Sequence, residues 1–421
     1  MSIATEISRL QTAKSDLKTA IEAKGVTVPS ATTIDGYATL VGQIQTGATE
    51  APENDVNFYD YDGFRVASFT IAEAKALTQA EYNAILPPTH EGLTFQEWNW
   101  TWNDITTYNR QYIDIGANYI TTDSKAHLHC KITSKDVFIS FSASAQTVYI
   151  DWGDGSAEDS YAYGSSSSRN TFTHTYSNIG EYTIKTRSSN DNGFYDMSMD
   201  VTKWSLNVIV EEINCDKNIS FNTNYALAYN PKIIISITKD TTVTPIRGFM
   251  KTTCPIIVIP RNAIDYASTG YNTFNQLNGR ISFPKQVKKI FSQSSFSQMV
   301  TNKLVIPEIS DTYTANNDSL SNNFYMEYLS IPSSFQFASS VTSYFTGNSN
   351  LKSLDIVQGW IPTYSMTINQ STRWTADSMV DFFTKLGTTT NTITLTFGST
   401  NLDKLTADQK AIATNKGYTL A

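Results

Sequence analysis

The amino-acid sequence predicts a mainly β, multidomain chain that opens on a helix and closes on a repetitive array with a mixed α/β end. Three observations lead there. Among 421 residues, 23 are Tyr, 21 Phe and 7 Trp, while only 17% are charged; that balance disfavours disorder and helical bundles and favours strands joined by polar turns. From Val56 onward aromatic and polar residues alternate, as on a half-buried strand. Further on, the segments IVIP, ISFP, LVIP and LSIP end at Pro260, Pro284, Pro307 and Pro332, and LDIV ends at Val357, giving intervals of 24, 23, 25 and 25 residues. Such a period predicts a solenoid in which one short strand per turn stacks on the next. The expected parts are residues 1–50, 55–118, 120–203, 204–370 and 371–421.

The first part is a helix. Ile3, Ile7, Leu10, Leu17 and Ile21 recur four and three apart if Lys14 occupies the missing step, a three-heptad seam with one cation inside. Two readings stand: a helix packing on its own chain, or a short coiled coil joining identical subunits through Ile3, Ile7, Leu10, Lys14, Leu17 and Ile21. The seam makes the chain a homo-oligomer in the second reading, with a trimer as one of the strand numbers it allows. Gly25 ends the helix, residues 34–44 form a second short one, and the run from Gly47 is a linker.

The second part begins with VNFYDYDGFRVASFTI, where Asp62-Gly63 between two apolar runs predicts a hairpin. The stretch AEAKALTQAEYNAI is helical, Pro87-Pro88 breaks it, and Trp98, Trp100 and Trp102 read as alternate positions of one strand. FYDYDG, PPTHEGLTFQEW and their spacing resemble the internalin-type B repeat, which implies a small β-grasp-like module of the kind found on bacterial and phage surfaces.

The third part holds VYIDWGDG at 148–155 and FTHTYSNIGEYTIKT at 172–186. Gly153 and Gly155 suit a turn with positive φ, and Tyr176, Tyr182 and Ile184 are inward residues of the facing sheet. The pair of segments resembles the PKD domain, implying an immunoglobulin-like β-sandwich. Asp151 and Asp154 raise a calcium reading, but their spacing departs from an alternating carboxylate loop and favours turn capping.

In the repeats, each strand alternates between interior and surface, an aromatic (Phe274, Phe296, Phe324 or Phe345) fills the coil, and proline closes the strand. The array resembles leucine-rich repeats of the surface-protein type, although it lacks their regular cysteine and its aliphatic positions vary. SLNVIVEEI at 205–213 and KIIISI at 232–237 read as earlier coils. The terminal segment predicts a helix from Thr375, the strand ITLTFG, and a helix closed by Gly417, a cap for the open end.

Chemistry is sparse. A net charge of -8 argues against a nucleic-acid surface. Cys130, Cys215 and Cys254 are too scattered for a metal or redox motif and read as buried thiols. His127 and His129 share a strand face and would need further ligands to hold zinc. No nucleophile elbow, phosphate loop or metalloprotease helix occurs, so no catalytic, metal or cofactor-binding residue is assigned and no cofactor is expected. The opening lacks an apolar export core, and no run of about eighteen apolar residues follows, so the expectation is neither secretion nor membrane insertion. The first fifty residues also resemble the start of phage tail and tail-fibre proteins. Together these resemblances imply a non-enzymatic virion protein, a tail fibre or receptor-facing appendage, attached to other virion proteins by its N-terminal segment and to a host-surface glycan or protein by the solenoid. A bacterial surface adhesin and a purely architectural head or baseplate decoration are the alternatives.

Overall fold

In the computed structural model the chain forms two compact units, Met1–Ala51 and Pro52–Ala421. The structure describes residues 3–22, 28–29, 32–33, 36–37, 50–143, 147–162, 170–188, 195–196, 206–216, 219–220, 232–239, 249, 251–261, 274–287, 296–310, 313–315, 320–337 and 344–421. In the first unit, helix α1 (Ile3–Glu22) carries the expected seam. Ile21 is buried with Val28 and Tyr37. Ile3, Ile7, Leu10 and Leu17 are exposed, from 82% at Ile3 to 41% at Leu17, and Lys14 is half-buried. The last step of the stripe therefore packs on its own chain, and the first steps leave their apolar surface in water. The helix end at Gly25 and most of the helix expected over 34–44 lie outside the described residues.

The second unit opens with strands β1 (Val56–Tyr59) and β2 (Arg65–Phe69), joined by the Asp62-Gly63 turn. Gly63 has φ +91°, and the Phe64 amide donates to the Asp62 carboxylate at 2.8 Å. Instead of one helical stretch there are two, α2 (Ile71–Ala76) and α3 (Gln79–Ala84). Thr70 and Thr78 each form a capping box, with Glu73 and Glu81, so Thr78 starts a second helix where an unbroken one would leave its hydroxyl unused. Strand β3 (Leu93–Trp98) ends at Trp98. Thr101 caps α4 (Trp102–Thr106) in the same way through Asp104, which is why the three tryptophans do not lie on one strand: Trp98 ends it, Trp100 is in the bend and Trp102 begins a helix. Strand β4 (Ile113–Thr121) completes a sheet of order β2-β1-β4-β3.

Strands β5 (Ala126–Ile132), β6 (Asp136–Ala143), β7 (Thr147–Asp151), β8 (Asp159–Ala162), β9 (Asn170–Thr175), β10 (Gly180–Ser188), β11 (Tyr195–Asp196), β12 (Val208–Asn214), β13 (Ile219–Ser220) and β14 (Ile234–Ser236) make two sheets, ordered β14-β12-β5-β10-β7-β8 and β13-β11-β6-β9. Gly153 and Gly155 take φ +76° and +84° as the turn requires; a Cβ on Gly153 would come within 2.4 Å of the Thr183 carbonyl. Trp152 and Tyr176 are buried, and the Tyr176 hydroxyl donates to the Trp152 carbonyl at 2.9 Å. Ile184 is buried, but Tyr182 is only half-buried and packs at the rim, its hydroxyl donating to the Asn178 carbonyl. Strand β12 pairs antiparallel with β5 and parallel with β14. It closes the two-sheet body and begins the parallel stack at once, so one sheet runs across the boundary expected at 203/204.

The repeats supply β15 (Thr253–Val258), β16 (Asn278–Ser282), β17 (Gln286–Val287), β18 (Lys303–Val305), β19 (Glu308–Ile309), β20 (Tyr313–Ala315), β21 (Tyr328–Ser330), β22 (Phe335–Phe337) and β23 (Ser353–Asp355). The pairings among them are parallel: β15 with β16, β21 with both β18 and β23, and the shorter β17 with β19 and β20 with β22. Leu304, Leu329 and Leu354 share a register and point inward with Phe274, Phe296 and Phe345. Phe324 departs from the expected pattern: it is 52% exposed, and Leu320 is the buried residue of that coil.

The reason lies in a turn that recurs after the buried residue. Lys251, Gln276, Gln298 and Asn322 have φ between +58° and +60°, and Gly347 has φ +79°. The amides of the first four donate to the carbonyls of Asn275, Ser297, Ser321 and Thr346 in the next coil. The turn, rather than the nearest aromatic, sets which side chain enters each coil, and its position two residues before Asn322 selects Leu320.

The chain ends with β24 (Met366–Thr367), α5 (Ala376–Lys385), β25 (Ile393–Thr396), α6 (Ser399–Leu402), α7 (Ala407–Thr414) and β26 (Tyr418–Leu420), the three strands parallel in the order β24-β25-β26. Thr375 and Thr406 cap α5 and α7 through Ser378 and Gln409. Gly417, at φ +94°, follows α7 and turns the chain into β26.

Candidate functional site: a cleft where the first sheet crosses the strand stack

Strand β4 alternates with period two, and both of its faces are buried. Ile113, Ile115, Ala117 and Tyr119 enter the aromatic core beneath the first sheet. Asp114, Gly116 and Asn118 face the parallel stack. A Cβ on Gly116 would come within 2.5 Å of both Val258 methyl groups, and the Asn118 amide donates to the Ile237 carbonyl at 2.9 Å. Tyr59 of β1 packs with Ile256 and Val258. The Asn99 amide donates to the Ile259 and Ser282 carbonyls, each at 3.0 Å, and the Trp100 indole N–H donates to the Phe283 carbonyl at 2.6 Å. At the far end, the Arg110 guanidinium donates to the Ile306 carbonyl and the Ser330 hydroxyl, and the Gln111 amide donates to the Asp355 carboxylate. The outer face of the stack, expected to meet a partner, is thus covered by residues 55–118 of the same chain. Outward residues of the stack, Ser282, Ser330 and Asp355 among them, have their partners within residues 55–118.

Charge is concentrated at one edge of this crossing. The Lys303 ammonium lies 2.8 Å from Asp114, with both side chains 3% exposed, and 3.5 Å from Glu53. Arg280 donates to both oxygens of Glu53 at 3.0 Å, lies 3.9 Å from Asp114, and stands over the Tyr59 ring. Burial pushes the Glu53 carboxyl up, but Arg280, Lys303 and Arg65 outweigh it and hold the group below its ordinary value. Burial pushes the Tyr59 hydroxyl far above its own. The network is therefore a floor in which each cation has a carboxylate partner.

Above that floor opens a cleft of about 380 Å³, bounded by Asn54 and Asp55 on one side and by Asn302 and Tyr328 at the starts of β18 and β21 on the other. Tyr112 forms its third wall, its ring 5.4 Å from that of Tyr328. Asp55 is held by the Gln111 side-chain amide and the Ile71 backbone amide, both at 3.1 Å. A second cleft of about 380 Å³ runs on past Asn278, Val300 and Arg280 and shares Asn302 with the first. The pair forms a trough along the N-terminal ends of the stacked strands.

The residues singled out from the sequence lie elsewhere. His127 and His129 do share a face of β5, their rings 6.2 Å apart. His127 is held by Asp123, while His129 is held by Asn214 and Thr183. Asp151 and Asp154 accept from the backbone amides of Gly153 and Ser156, both at 3.0 Å. Asp154 also accepts from or pairs with His174, which stacks on Trp152. Among the described residues, no group of three His, Cys, Asp or Glu side chains is placed to hold a metal ion. The three cysteines are free thiols and buried. No helix among the described residues is long and apolar enough to cross a membrane.

Sequence reasoning missed the cleft because its walls come from residues 53–55, 112, 302–303 and 328, which no local motif joins. One signal was present. The residue before each apolar triplet (Ile256, Arg280, Lys303, Tyr328 and Ser353) is the outward position of its strand, and Arg, Lys and Tyr in succession mark an unusual surface stripe. Comparison with known proteins finds no matching family model, no similar curated protein and no similar solved structure.

Proposed function

We propose that this chain is a non-catalytic attachment protein of a virion, a tail fibre or related receptor-facing appendage, in which the parallel stack is a leucine-rich-repeat-like solenoid with an α/β cap. In this reading the two-sheet body is a PKD-like sandwich and residues 55–118 are a B-repeat-like module. The module does more than space the parts: it stiffens the solenoid by lying across its sheet, leaving the trough along the strand ends as the surface offered to a host glycan or protein. The trough carries the reading. Its polar floor is held in ion pairs, which suits holding a ligand in one orientation. The exposed stripe of Ile3, Ile7, Leu10 and Leu17 on α1 supplies the second part of the reading, self-association with identical subunits into an oligomer that joins other virion proteins, because an apolar stripe at 3.5-residue spacing is complementary to a copy of itself.

Binding of the fluorescently labelled full chain to a panel of bacterial cells tests it. Saturable binding to some strains is expected, with no new reducing ends released from their capsule or wall polysaccharide. Absence of binding across the panel would favour the architectural alternative, a head or baseplate decoration, and release of reducing ends would make the protein an enzyme.

A further inference from the structure

Three features of the cleft between Tyr112 and Tyr328 narrow its ligand. The first is the aromatic pair: two half-buried tyrosine rings at 5.4 Å, tilted by 57°, each with a lysine ammonium over one face, Lys303 at Tyr112 and Lys352 at Tyr328, and each with a second π face of the kind that attracts the weakly positive C–H groups of a sugar ring. The second is a set of neutral hydrogen-bonding groups. Asn302, Asn54 and Tyr328 line the same space, and the Asn302 side-chain amide, the Asn54 NH₂ group and the Tyr328 hydroxyl make no hydrogen bond to another described residue. The third is charge balance. Glu53 is answered by Arg280 and Asp114 by Lys303, while Asp55 meets only neutral donors. With Arg65 also 3.8 Å from Glu53, three carboxylates face three cations and every cation is already paired, so no net charge selects an ionic ligand.

We infer that the cleft is a binding site for a neutral saccharide, with a pyranose ring lying against Tyr328 and Tyr112 and its hydroxyls bonded to Asn302 and Asn54. This rests on the attachment reading above and gives that reading a ligand class and an address. Because the second cleft shares Asn302 and runs past Asn278 and Val300, the site takes a short chain of sugars. The starts of β15, β16, β18 and β21 are separated by three strand spacings, roughly 14 Å at about 4.8 Å each. Preorganisation favours affinity: the ion-paired floor does not move on binding, and the free amide and hydroxyl groups exchange water for sugar hydroxyls without breaking a protein bond.

The test uses the full chain with trisaccharides of glucose, galactose, N-acetylglucosamine and rhamnose, with sialyllactose as the charged counterpart, read by saturation-transfer NMR and titration. At least one neutral trisaccharide should bind, and Tyr328→Ala and Asn302→Ala should each weaken it tenfold or more with an unchanged thermal unfolding curve. Asn302→Ala removes a side chain that holds nothing in the fold, so it remains informative if Tyr328→Ala unfolds. Failure of all four neutral sugars, preference for sialyllactose, or equal binding by both variants would overturn the proposal. Cell binding measured in parallel separates the two readings. Cells bound equally by wild type and variants would refute the cleft and leave attachment standing. Trisaccharide binding without cell binding would leave the cleft and remove attachment.

Discussion

Replacing Asp114 by Asn keeps the shape of the side chain and removes one charge from a place where water cannot compensate. Lys303 would then sit 3% exposed with Glu53 as its remaining anion, 3.5 Å away and itself shared with Arg280 and Arg65. At an effective dielectric of about 20, two charges about 4 Å apart attract by about 4 kcal/mol, and removing one partner of a buried pair costs about 3–5 kcal/mol because the survivor stays desolvated. Asp114→Asn and Lys303→Met should each fall toward the lower end of that range, since Glu53 and Arg280 offer partial substitutes. The double variant should cost at least about 2 kcal/mol less than the sum of the singles, as coupled neighbours do. A unit of this size need not unfold in one step, so the assay is hydrogen exchange of the β4 and β15–β16 peptides, which reads local opening where the first sheet meets the stack. Single costs below about 1 kcal/mol that simply add would be the behaviour of a surface ion pair and would refute the claim that this network locks the module onto the stack.

Other perturbations follow from the same geometry. Gly116→Val drives a side chain into the Val258 methyls, so the exchange protection of β15 and β16 should drop together with that of β4; unchanged protection of the stack would mean the two are not docked. Phe274→Ala should cost about 3–5 kcal/mol through the cavity it leaves, whereas Phe324→Ala should cost under about 0.5 kcal/mol, as measured by local exchange; comparable losses would return Phe324 to the interior. Hydrogen bonds from the Ser156 side chain and from His174 hold the Asp154 carboxyl down at about 2, against burial. Its folded value lies below its unfolded one, so the stability it contributes is present above about pH 4 and is lost as the pH falls from about 4 to 2. Asp154→Asn should flatten thermal stability across that window, and an unaltered pH profile would contradict the assignment. Leu10→Asp should shift the mass of the full chain to that of a monomer in sedimentation; a wild type that is already monomeric would remove the coiled coil.

Local chemistry was legible in the sequence. Threonine followed three residues later by Glu, Asp, Ser or Gln marks the N-termini of five helices, and glycine at Gly63, Gly153, Gly155 and Gly417 marks turns, because a cap or a left-handed φ is decided by a few neighbouring atoms. The repeat period likewise carried the parallel pairing of the repeat strands, since each repeat must place its apolar strand at the same step to bury it against the next. The helical break at Thr78 was legible too, through the capping box it forms with Glu81, but was hidden by the apolar period on either side of it.

What only the tertiary structure decided is which surfaces remain free. Asn57, Asp114, Gly116 and Asn118 read as the solvent side of alternating strands, yet they are buried against coils whose outward residues, Ile256, Val258, Arg280 and Lys303, lie more than a hundred residues away. Alternation tells two faces apart but not whether the polar one meets water or another polar face with matching donors and charges. The pairing of Lys303 with Asp114, and with it the cleft above them, exists only once the chain brings both to one place, because electrostatic complementarity depends on distance in space, which a pattern along the chain does not encode.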